Sequence, residues 1–492
     1  MFRCYLAQKD AYITDRVIDN TRRSRANVGS AGSIDLFKLY GYTSSGSVPN
    51  LELSRALIKF DLSQLRTLAT EGKLDVTSPT FKCLIKMYDV NGGQTTPEQF
   101  TLTAHPLSRS FDEGRGRDVV FYEDNDVCNF LTASRVSGQW IASGCSSGGA
   151  VGSVVDYLTT SGSTSLVSSQ YFETGEEDLS MDVTPAARAY VLGGIPDEGF
   201  RIAFEQSLEQ DQLSYFVKRF AGRRAYNESK RPRLIVSYDD SVRDDSLEMR
   251  VGSTATLWLH NRNAGQPSNI ISGSTPITGP SSLTLKLETE ISGGMHVLSF
   301  AASQKSVGSF NASGSYYSTF TIPTNDPILN SKIAASGSVL VKPIWGSLDG
   351  TVGYYTGSAL SIKPADVGSP GFIDRFIVSV FGVQPDHVST ELATFRIHID
   401  DSAQAPGRLP VQAKGRVPFN VHHQVRDAVT NDVIVPFDTS TNCTRVSSDS
   451  NGNYVTVDMN SLTVGRSYTI DVMVGTTIHR DASPTFRVVR TL

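Results

Sequence analysis

The sequence predicts an all-β protein made of consecutive β-sandwiches, and three observations support this fold class. Apolar and polar residues alternate with period two along many segments, which is typical of antiparallel sheet with one buried face. Charged residues make up only 19% of the 492 residues, below the usual quarter or so. Glycine, proline, asparagine and serine separate the apolar segments at spacings of roughly ten residues, as in sandwiches.

The length predicts three domains of about 150 residues each. We place them at residues 1–242, 243–367 and 368–492. A charged segment at 239–245 is interpreted as the first linker, and the glycine- and proline-containing segment 367–371 marks the second boundary.

The first domain contains clear strand patterns and one clear helix pattern. The best strands are predicted at 56–62, 200–205 and 233–238, with the apolar residues on one face and the charged residues on the other. The helix is predicted within 182–193, with Thr184 as N-cap, Pro185 at the first position and Gly193 after the end. A long irregular insertion, 108–169, is expected to be functional or ordered by a partner.

The second and third domains carry further strand patterns. They are predicted at 256–259, 283–288, 319–322 and 338–341, and then at 376–381, 453–458 and 467–474. Residues 449–453 form a hairpin turn signal. Tyr468, which follows the turn at 462–467, is typical of the tyrosine that closes many Ig-like sandwiches.

The first domain resembles the DNRLRE family of jelly-roll-like sandwiches, which is related to carbohydrate-binding modules. The matching segments are 10–15 (DAYITD), 54–65 (SRALIKFDLSQL), 181–184 (MDVT) and 227–238 (NESKRPRLIVSY). Family members usually carry a tryptophan-centred segment, and here residues 111–114 (FDEG) stand in its place. Such modules occur in bacterial surface proteins and in phage virion proteins.

The remainder of the chain resembles segments of virion structural proteins of tailed phages. The matching segments are 313–320 (SGSYYSTF), 435–439 (VPFDT) and 448–454 (SDSNGNY). The resemblance implies a jelly-roll-like first domain, two Ig-like domains after it, and a protein that is assembled into a virion in the host cytoplasm. The N-terminal ten residues have no apolar core of a secretory signal, which agrees with this expectation.

The five cysteines show no zinc-binding spacing. Cys83 is expected to be a buried apolar residue of a strand, on one face with Ile85 and Met87. Cys128 and Cys145 share the insertion and could pair. We favour reduced thiols, as is usual for a chain that folds in the cytosol.

Trp140, in the insertion, is the candidate contact residue of the sequence. As a contact residue it would be an exposed aromatic side chain able to stack on a sugar ring. The alternative is that it anchors the insertion or a partner subunit. Trp258 alternates with Leu257 and Leu259 in a strand and is interpreted as a core residue.

No catalytic or cofactor-binding motif is found, so we predict a non-enzymatic protein without a cofactor. His422 and His423 are adjacent in a strand and point to opposite faces, so they cannot share one ion. The carboxylates at 123–126 and 176–178 are interpreted as solvated loop charges. Calcium bound by oxygen-rich loops is the metal alternative, and no ligand set can be assigned to it.

The charge distribution argues against a nucleic-acid-binding protein. The net charge is −5. The basic clusters 22–25 and 222–224 have no aromatic residues between them and are interpreted as solvated or subunit-contacting. No segment approaches the roughly 18–20 apolar residues of a membrane-spanning helix.

We therefore expect a virion structural protein from the tail, baseplate, collar or fibre-attachment region. It would be a homo-oligomer that docks other virion proteins in symmetric copies, with the first domain for attachment and the others as spacers. The alternative is an adhesin whose first domain binds host surface glycan. The third possibility, a glycan depolymerase, would need two carboxylates facing one groove.

Overall fold

The computed structural model describes residues 1–42, 49–92, 95–247, 249–365, 376–401, 417–418 and 420–490. Strands dominate it, which confirms the all-β fold class. The chain divides into two compact units. One contains Phe2–Thr70 and Phe81–Ser237, and the other contains Met1, Glu71–Thr80 and Tyr238–Leu492.

The first unit is a sandwich whose sheets share one long strand. Its strands are β1 Phe2–Thr14, β2 Val17–Ile18, β3 Thr21–Arg22, β4 Ser33–Tyr42, β5 Pro49–Phe60, β6 Lys82–Met87, β7 Phe100–Pro106, β8 Thr132–Ser134, β9 Gly138–Gln139, β10 Gly148–Ala150, β11 Tyr157–Ser161, β12 Thr164–Ser165, β13 Ser168–Phe172, β14 Leu179–Asp182, β15 Phe200–Phe204, β16 Tyr215–Ala221 and β17 Arg233–Ser237. Its helices are α1 Ser63–Thr70, α2 Thr184–Val191 and α3 Gln206–Gln210, with a 3-10 turn at Glu228–Lys230.

Strand β1 passes from one sheet of this sandwich to the other. Its first half pairs with β17, and its second half pairs with β5 after an irregularity between Ala7 and Lys9. One sheet therefore runs β1-β17-β6-β14, and the other runs β1-β5-β15-β7-β13. A bulge of this kind lets one strand bend and serve two sheets.

The second of these sheets is buried on both faces. The sequence predicted one buried face and one face exposed to solvent. Phe200, Ile202 and Phe204 lie on the face predicted to be buried, but Arg201 on the opposite face is also only 4% exposed. The insertion covers that opposite face. Apolar residues of the sheet and of the insertion form a core cluster there, made of Ala11, Ile13, Leu57, Leu107, Phe111, Cys128, Ala133, Trp140 and Cys145. The insertion is irregular over most of its length, as expected, and it is packed against the sheet.

The second unit begins with one sheet of eight strands. The strands of this part are β18 Met249–Arg250, β19 Thr254–His260, β20 Arg262–Asn263, β21 Gln266–Pro267, β22 Ile271–Ser272, β23 Thr275–Pro276, β24 Leu283–Ile291, β25 Gly294–Val307, β26 Phe310–Thr321, β27 Val339–Gly346, β28 Gly353–Thr356 and β29 Leu360–Lys363, with helix α4 at Pro327–Ser336. The main sheet runs β18-β29-β27-β24-β25-β26-β19. The strands predicted at 256–259 and 283–288 lie within β19 and β24, and those predicted at 319–322 and 338–341 overlap β26 and β27 but extend one residue beyond them.

The same unit ends with two packed sheets of four and six strands. Its strands are β30 Phe376–Phe381, β31 Asp386–Val388, β32 Leu392–Asp401, β33 Val421–Asp427, β34 Val433–Val435, β35 Ser447–Asp449, β36 Gly452–Asp458, β37 Ser467–Val474, β38 Thr477–His479 and β39 Phe486–Val489, with a 3-10 turn at Met459–Ser461. The hairpin turn joins β35 and β36 as predicted. Tyr468 Oη donates to Thr463 O at 2.9 Å, so the predicted tyrosine closure is present.

Three details of the sequence interpretation are corrected. The helix predicted within 182–193 is present, but its N-cap is Val183, and the Thr184 hydroxyl instead accepts a hydrogen bond from the Cys83 amide. Helices α1 and α3 of the first unit were not expected. Helix α4 was also missed, although Asp326 before Pro327 and Gly337 after the end are ordinary helix boundary signals.

The segment 239–245, predicted to be a linker, is mostly half-buried, and its last residue is buried. Asp245 is 1% exposed and accepts the Thr256 amide, and Arg243 O accepts the Trp258 indole N–H at 2.7 Å. The second predicted boundary, 367–371, lies outside the described residues, so the separation of the second and third domains stays a prediction. No helix in the described ranges is both long and apolar enough to cross a membrane.

Candidate functional site

A concave site lies on the face of the first unit's sheet that the insertion covers. We call it the arginine pocket; its volume is about 480 Å³. Strands β5, β7 and β15 form its floor, and the insertion and helix α3 form its walls. The lining residues are Leu51, Leu53, Arg55, Thr103, His105, Ser146, Tyr157, Thr159, Val167, Arg201, Phe204, Glu205, Gln206, Glu209 and Gln210.

Strand pairing places the polar residues of the floor side by side. Arg201 lies directly opposite His105 on β7 and opposite Leu57 on β5. Because side chains alternate along a strand, Thr103 and Arg55 project from the same face as Arg201. Three adjacent strands thus contribute two guanidinium groups, an imidazole and a hydroxyl to one small area.

Arg55 is fully committed to structural contacts. Its Nε and Nη2 donate to the two carboxylate oxygens of Glu209 at 2.8 and 2.7 Å, and its Nη1 donates to Gly144 O at 2.6 Å. Arg55 and Glu209 are both nearly buried, with 4% and 7% exposure. The pair therefore fixes helix α3 and the insertion against the sheet.

Arg201 has the same burial but far fewer contacts. Its Nη2 lies 3.5 Å from Glu209 Oε1, beyond ordinary hydrogen-bond length. Its buried Nε has no hydrogen-bond partner among the described residues. The guanidinium lies over the Tyr157 ring, 4.7 Å from the centroid, which fixes its orientation without using its N–H donors. A buried cation with unused donors is costly unless something pairs with it.

The electrostatics of the pocket leave one positive charge in its buried part. Burial opposes the charge of Arg55, but the Glu209 carboxylate outweighs this effect and raises the Arg55 pKa. Burial and repulsion by Arg55 lower the pKa of Arg201. Burial would raise the pKa of Glu209, yet the hydrogen bonds and charges of the arginines lower it. Two guanidinium groups therefore share one carboxylate.

His105 is a neutral member of the pocket. Burial, together with the charge of Arg201, lowers the pKa of His105 to about 3. Its ring packs against Tyr157 with centroids 4.7 Å apart, and its Nδ1 has no hydrogen-bond partner among the described residues. The pocket thus offers a charged donor and a neutral imidazole to an incoming ligand.

The arrangement is suited to binding an anion that also carries hydroxyl groups. Ser146, Thr159, Gln206 and Gln210 supply hydroxyl and amide groups around the arginine. Cys145, which contacts the same region, is buried, and burial raises the pKa of its thiol to about 12. Its thiol is therefore protonated at neutral pH and is a poor nucleophile.

Trp140 is not the exposed aromatic side chain that stacking on a sugar ring would need. Trp140 is only 5% exposed, and its indole N–H donates to Asn129 O at 2.9 Å. It belongs to the core cluster under the insertion and does not line the arginine pocket. The alternative interpretation, an anchor of the insertion, describes its position.

The cysteines agree with the favoured interpretation. None of the five is in a disulfide, and all are buried. Cys128 and Cys145 both belong to the core cluster under the insertion. Cys83, Ile85 and Met87 are fully buried on one face of β6, as predicted.

Trp258 lies on the outer face of its sheet, which corrects its assignment to the core. Leu257 and Leu259 point into the core, whereas Trp258 is half-buried and packs beside His260 and Tyr317. Strand alternation requires this arrangement, because neighbouring residues cannot share a face.

The other candidate carboxylates, arginines and histidines make contacts within the protein or are buried in it. Glu177 Oε1 accepts the Glu173 and Thr174 amides, and Arg223 is paired with Glu113 rather than solvated. His422 and His423 are adjacent in β33 and are both buried. Within the described ranges, no three His, Cys, Asp or Glu side chains form a group able to hold a metal ion.

A second concavity, of about 570 Å³, lies in the second unit along β24, β27 and α4. Glu288, Glu290, Lys332 and Lys342 line it. Of its described lining side chains, none has a buried polar atom without a hydrogen-bond partner. It therefore lacks the unused donor that distinguishes the arginine pocket.

Sequence reasoning missed the arginine pocket. Arg201 stands between two apolar residues, so the period-two pattern assigned it to a solvent-facing surface, and Arg55 lies just before the predicted strand 56–62 and was assigned to no face. The only signal was indirect: an insertion of some sixty residues has to pack somewhere, and the charged face of the central strands was the surface left for it.

The sequence matches no known protein-family model, and it has no significant match among curated proteins.

Proposed function

We propose that this protein is a non-enzymatic structural protein of a tailed-phage virion, in the tail, baseplate, collar or fibre-attachment region. The observation that carries the proposal is the architecture, in which consecutive strand-built sandwiches account for nearly the whole described chain. The sequence resemblance of residues 313–320, 435–439 and 448–454 to virion proteins points in the same direction.

The surface of the insertion supports a docking role. Phe121, Val136 and Val154 are 82%, 92% and 81% exposed. Large apolar side chains on a well-packed segment are typical of surfaces that become covered in an assembly. We propose that neighbouring virion subunits, including copies of this chain, cover these side chains in symmetric copies.

The test is mass spectrometry of purified virions from a culture that produces the protein. The proposal expects the protein in stoichiometric copies that survive gradient purification. A variant with Phe121→Ser and Val154→Ser should fold normally and be depleted from particles, whereas Val429→Ser, at an exposed position outside the insertion, should not. Absence of the wild-type protein from intact particles would refute the proposal.

The second candidate function is a glycan-binding adhesin, and the arginine pocket favours it. Its concave shape, Tyr157 ring and surrounding hydroxyl and amide groups are features that small-ligand sites use. The two functions are compatible, because a virion component can also bind a surface ligand.

A further inference from the structure

We propose that the arginine pocket binds the carboxylate of a small polyhydroxylated ligand, and that Arg201 is the residue that receives it. The inference names a ligand class for the second candidate function. It concerns the first unit alone, so it stands or falls independently of whether the protein is part of a virion.

The two arginines of the pocket differ in how they use their N–H donors. Arg55 uses Nε, Nη1 and Nη2 in hydrogen bonds of 2.6–2.8 Å, whereas the Nε of Arg201 has no partner in the described part of the chain. Their burial is equal, at 4% exposure each. Since a guanidinium presents its donors as a planar fork, a carboxylate is the partner whose geometry fits it.

The charges in the buried part of the pocket do not balance. Arg55 and Arg201 share Glu209, so one positive charge in the buried part is uncompensated. A ligand carboxylate would supply the missing negative charge. Glu205 lies exposed at the rim of the pocket and adds a negative charge there. The pocket therefore suits a single carboxylate better than a polyanion.

The remaining wall of the pocket is lined by polar side chains. Thr103 and Thr159 offer hydroxyl groups, Ser146 Oγ donates to Ser143 O and is left as an acceptor, and Gln206 and Gln210 offer amide groups. These groups donate and accept hydrogen bonds, as the hydroxyls of a sugar acid do. The volume of about 480 Å³ falls within the ordinary range of small-ligand sites, roughly 300–1,000 Å³.

The experiment is isothermal titration calorimetry of the full chain with sodium D-glucuronate and sodium D-gluconate. D-Glucose and methyl D-glucuronate serve as neutral analogues, and sodium acetate serves as the simplest carboxylate. The proposal expects saturable binding of the two sugar acids, with neutral analogues and acetate at least about tenfold weaker, since the neutral analogues lose the hydrogen bonds to a charged group and acetate lacks the hydroxyl groups.

Arg201→Met is the decisive variant. It keeps a long side chain over Tyr157 but removes the donors and the charge, so sugar-acid binding should weaken at least about tenfold. Thermal stability should be unchanged or higher, because Arg55 and Glu209 keep their own two-point pair. Arg115→Gln, at an exposed arginine outside the pocket, should bind like the wild type.

A surface variant covers the case in which Arg201→Met does not fold. Gln206→Glu adds a negative charge at the exposed rim, so it should weaken carboxylate binding and leave folding intact. The proposal is overturned if neither sugar acid binds the wild-type protein, if methyl D-glucuronate binds as tightly as D-glucuronate, or if folded Arg201→Met keeps its affinity. Each of these results leaves the virion proposal standing, since that depends on the content of particles.

Discussion

Arg55 and Glu209, 154 residues apart in the sequence, meet in a two-point ion pair whose N–O distances are 2.8 and 2.7 Å. Arg55 comes from the central strand β5, and Glu209 comes from the short helix α3 that follows β15. The pair holds the helix against the sheet and leaves Arg201 beside it with unused donors. Because Glu209 is bonded to Arg55, the donors of Arg201 remain available to a ligand.

Replacing Glu209 with glutamine should destabilise the first unit strongly. Two buried guanidinium groups would then lack the carboxylate they share, and breaking a buried pair in this way costs about 3–5 kcal/mol. Urea denaturation measures the free energy of unfolding. The matched control is Glu123→Gln, whose surface pair with Arg23 at 3.4 Å should be worth less than about 1 kcal/mol. Equal losses of stability from the two substitutions would show that Glu209 is not a buried carboxylate on which the two arginines depend.

Asp10 should make stability fall as the pH rises. Burial raises the pKa of Asp10 to about 7, and the charge of Glu113 adds to this, although the Arg223 amide opposes it. Between about pH 4 and pH 7 the folded state holds a proton that the unfolded state has lost, so the free energy of unfolding decreases with rising pH.

The Asp10→Asn variant tests this pH dependence. Calorimetric melting temperatures between pH 4 and pH 8 should show a flatter profile for the variant, with its largest relative gain at pH 8. Asp126→Asn, at an exposed carboxylate, should follow the wild-type profile. Parallel profiles for Asp10→Asn and the wild type would show that Asp10 is not the group responsible.

Gly144→Ala should disrupt the contact between the insertion and Arg55. An added Cβ would lie 2.5 Å from Arg55 Nη1 and 2.6 Å from the Phe130 ring, at a φ of +76°. Gly138→Ala separates the two effects, because its φ is +71° and nothing lies within 4 Å of the added Cβ. We expect Gly138→Ala to cost about 1–2 kcal/mol from backbone conformation and Gly144→Ala clearly more, by urea denaturation. Similar losses of stability in the two variants would show that a clash of the added Cβ with Arg55 and Phe130 does not destabilise the protein.

Trp140→Phe should lower stability without affecting ligand binding at the arginine pocket. The variant leaves Asn129 O without the indole donor, and an unsatisfied buried acceptor costs about 1–3 kcal/mol. Val136→Ala, at a 92% exposed position of the same insertion, should change stability by less than about 0.5 kcal/mol. If Trp140→Phe abolished sugar-acid binding while the protein stayed folded, Trp140 would be a contact residue after all.

The thiols should be unreactive until the protein unfolds. All five cysteines are buried, and none is in a disulfide. Burial also raises the thiol pKa of Cys83, Cys128 and Cys145. Titration with a thiol reagent should therefore give almost no reaction in native protein and five thiols in denaturant without reductant. Three thiols would show that Cys128 and Cys145 pair.

The regular strands could be predicted from the sequence because their pattern is local. Strands β30 and β37 have the predicted bounds, and the turn before Tyr468 is present, because period-two alternation and turn residues act over a few residues. The same pattern failed at Arg201 and Trp258. It distinguishes two faces of a strand but does not say which distant segment covers the second face.

The candidate site could not be predicted for the same reason. Arg55, His105 and Arg201 lie on three strands that only sheet order brings together, and Glu209 comes from helix α3 packed beside them. Trp140 drew attention because it is a large aromatic residue in a glycine- and serine-rich insertion. That residue instead fills the core beneath the insertion, where its size stabilises an otherwise small cluster.

Cryo-electron microscopy of purified virions tests the central claim most directly. The account predicts density for this chain in symmetric copies, with the exposed Phe121, Val136 and Val154 of the insertion covered by neighbouring subunits. Particles whose symmetric parts are fully explained by other proteins would contradict it, and so would a map in which this chain is present but its insertion faces solvent.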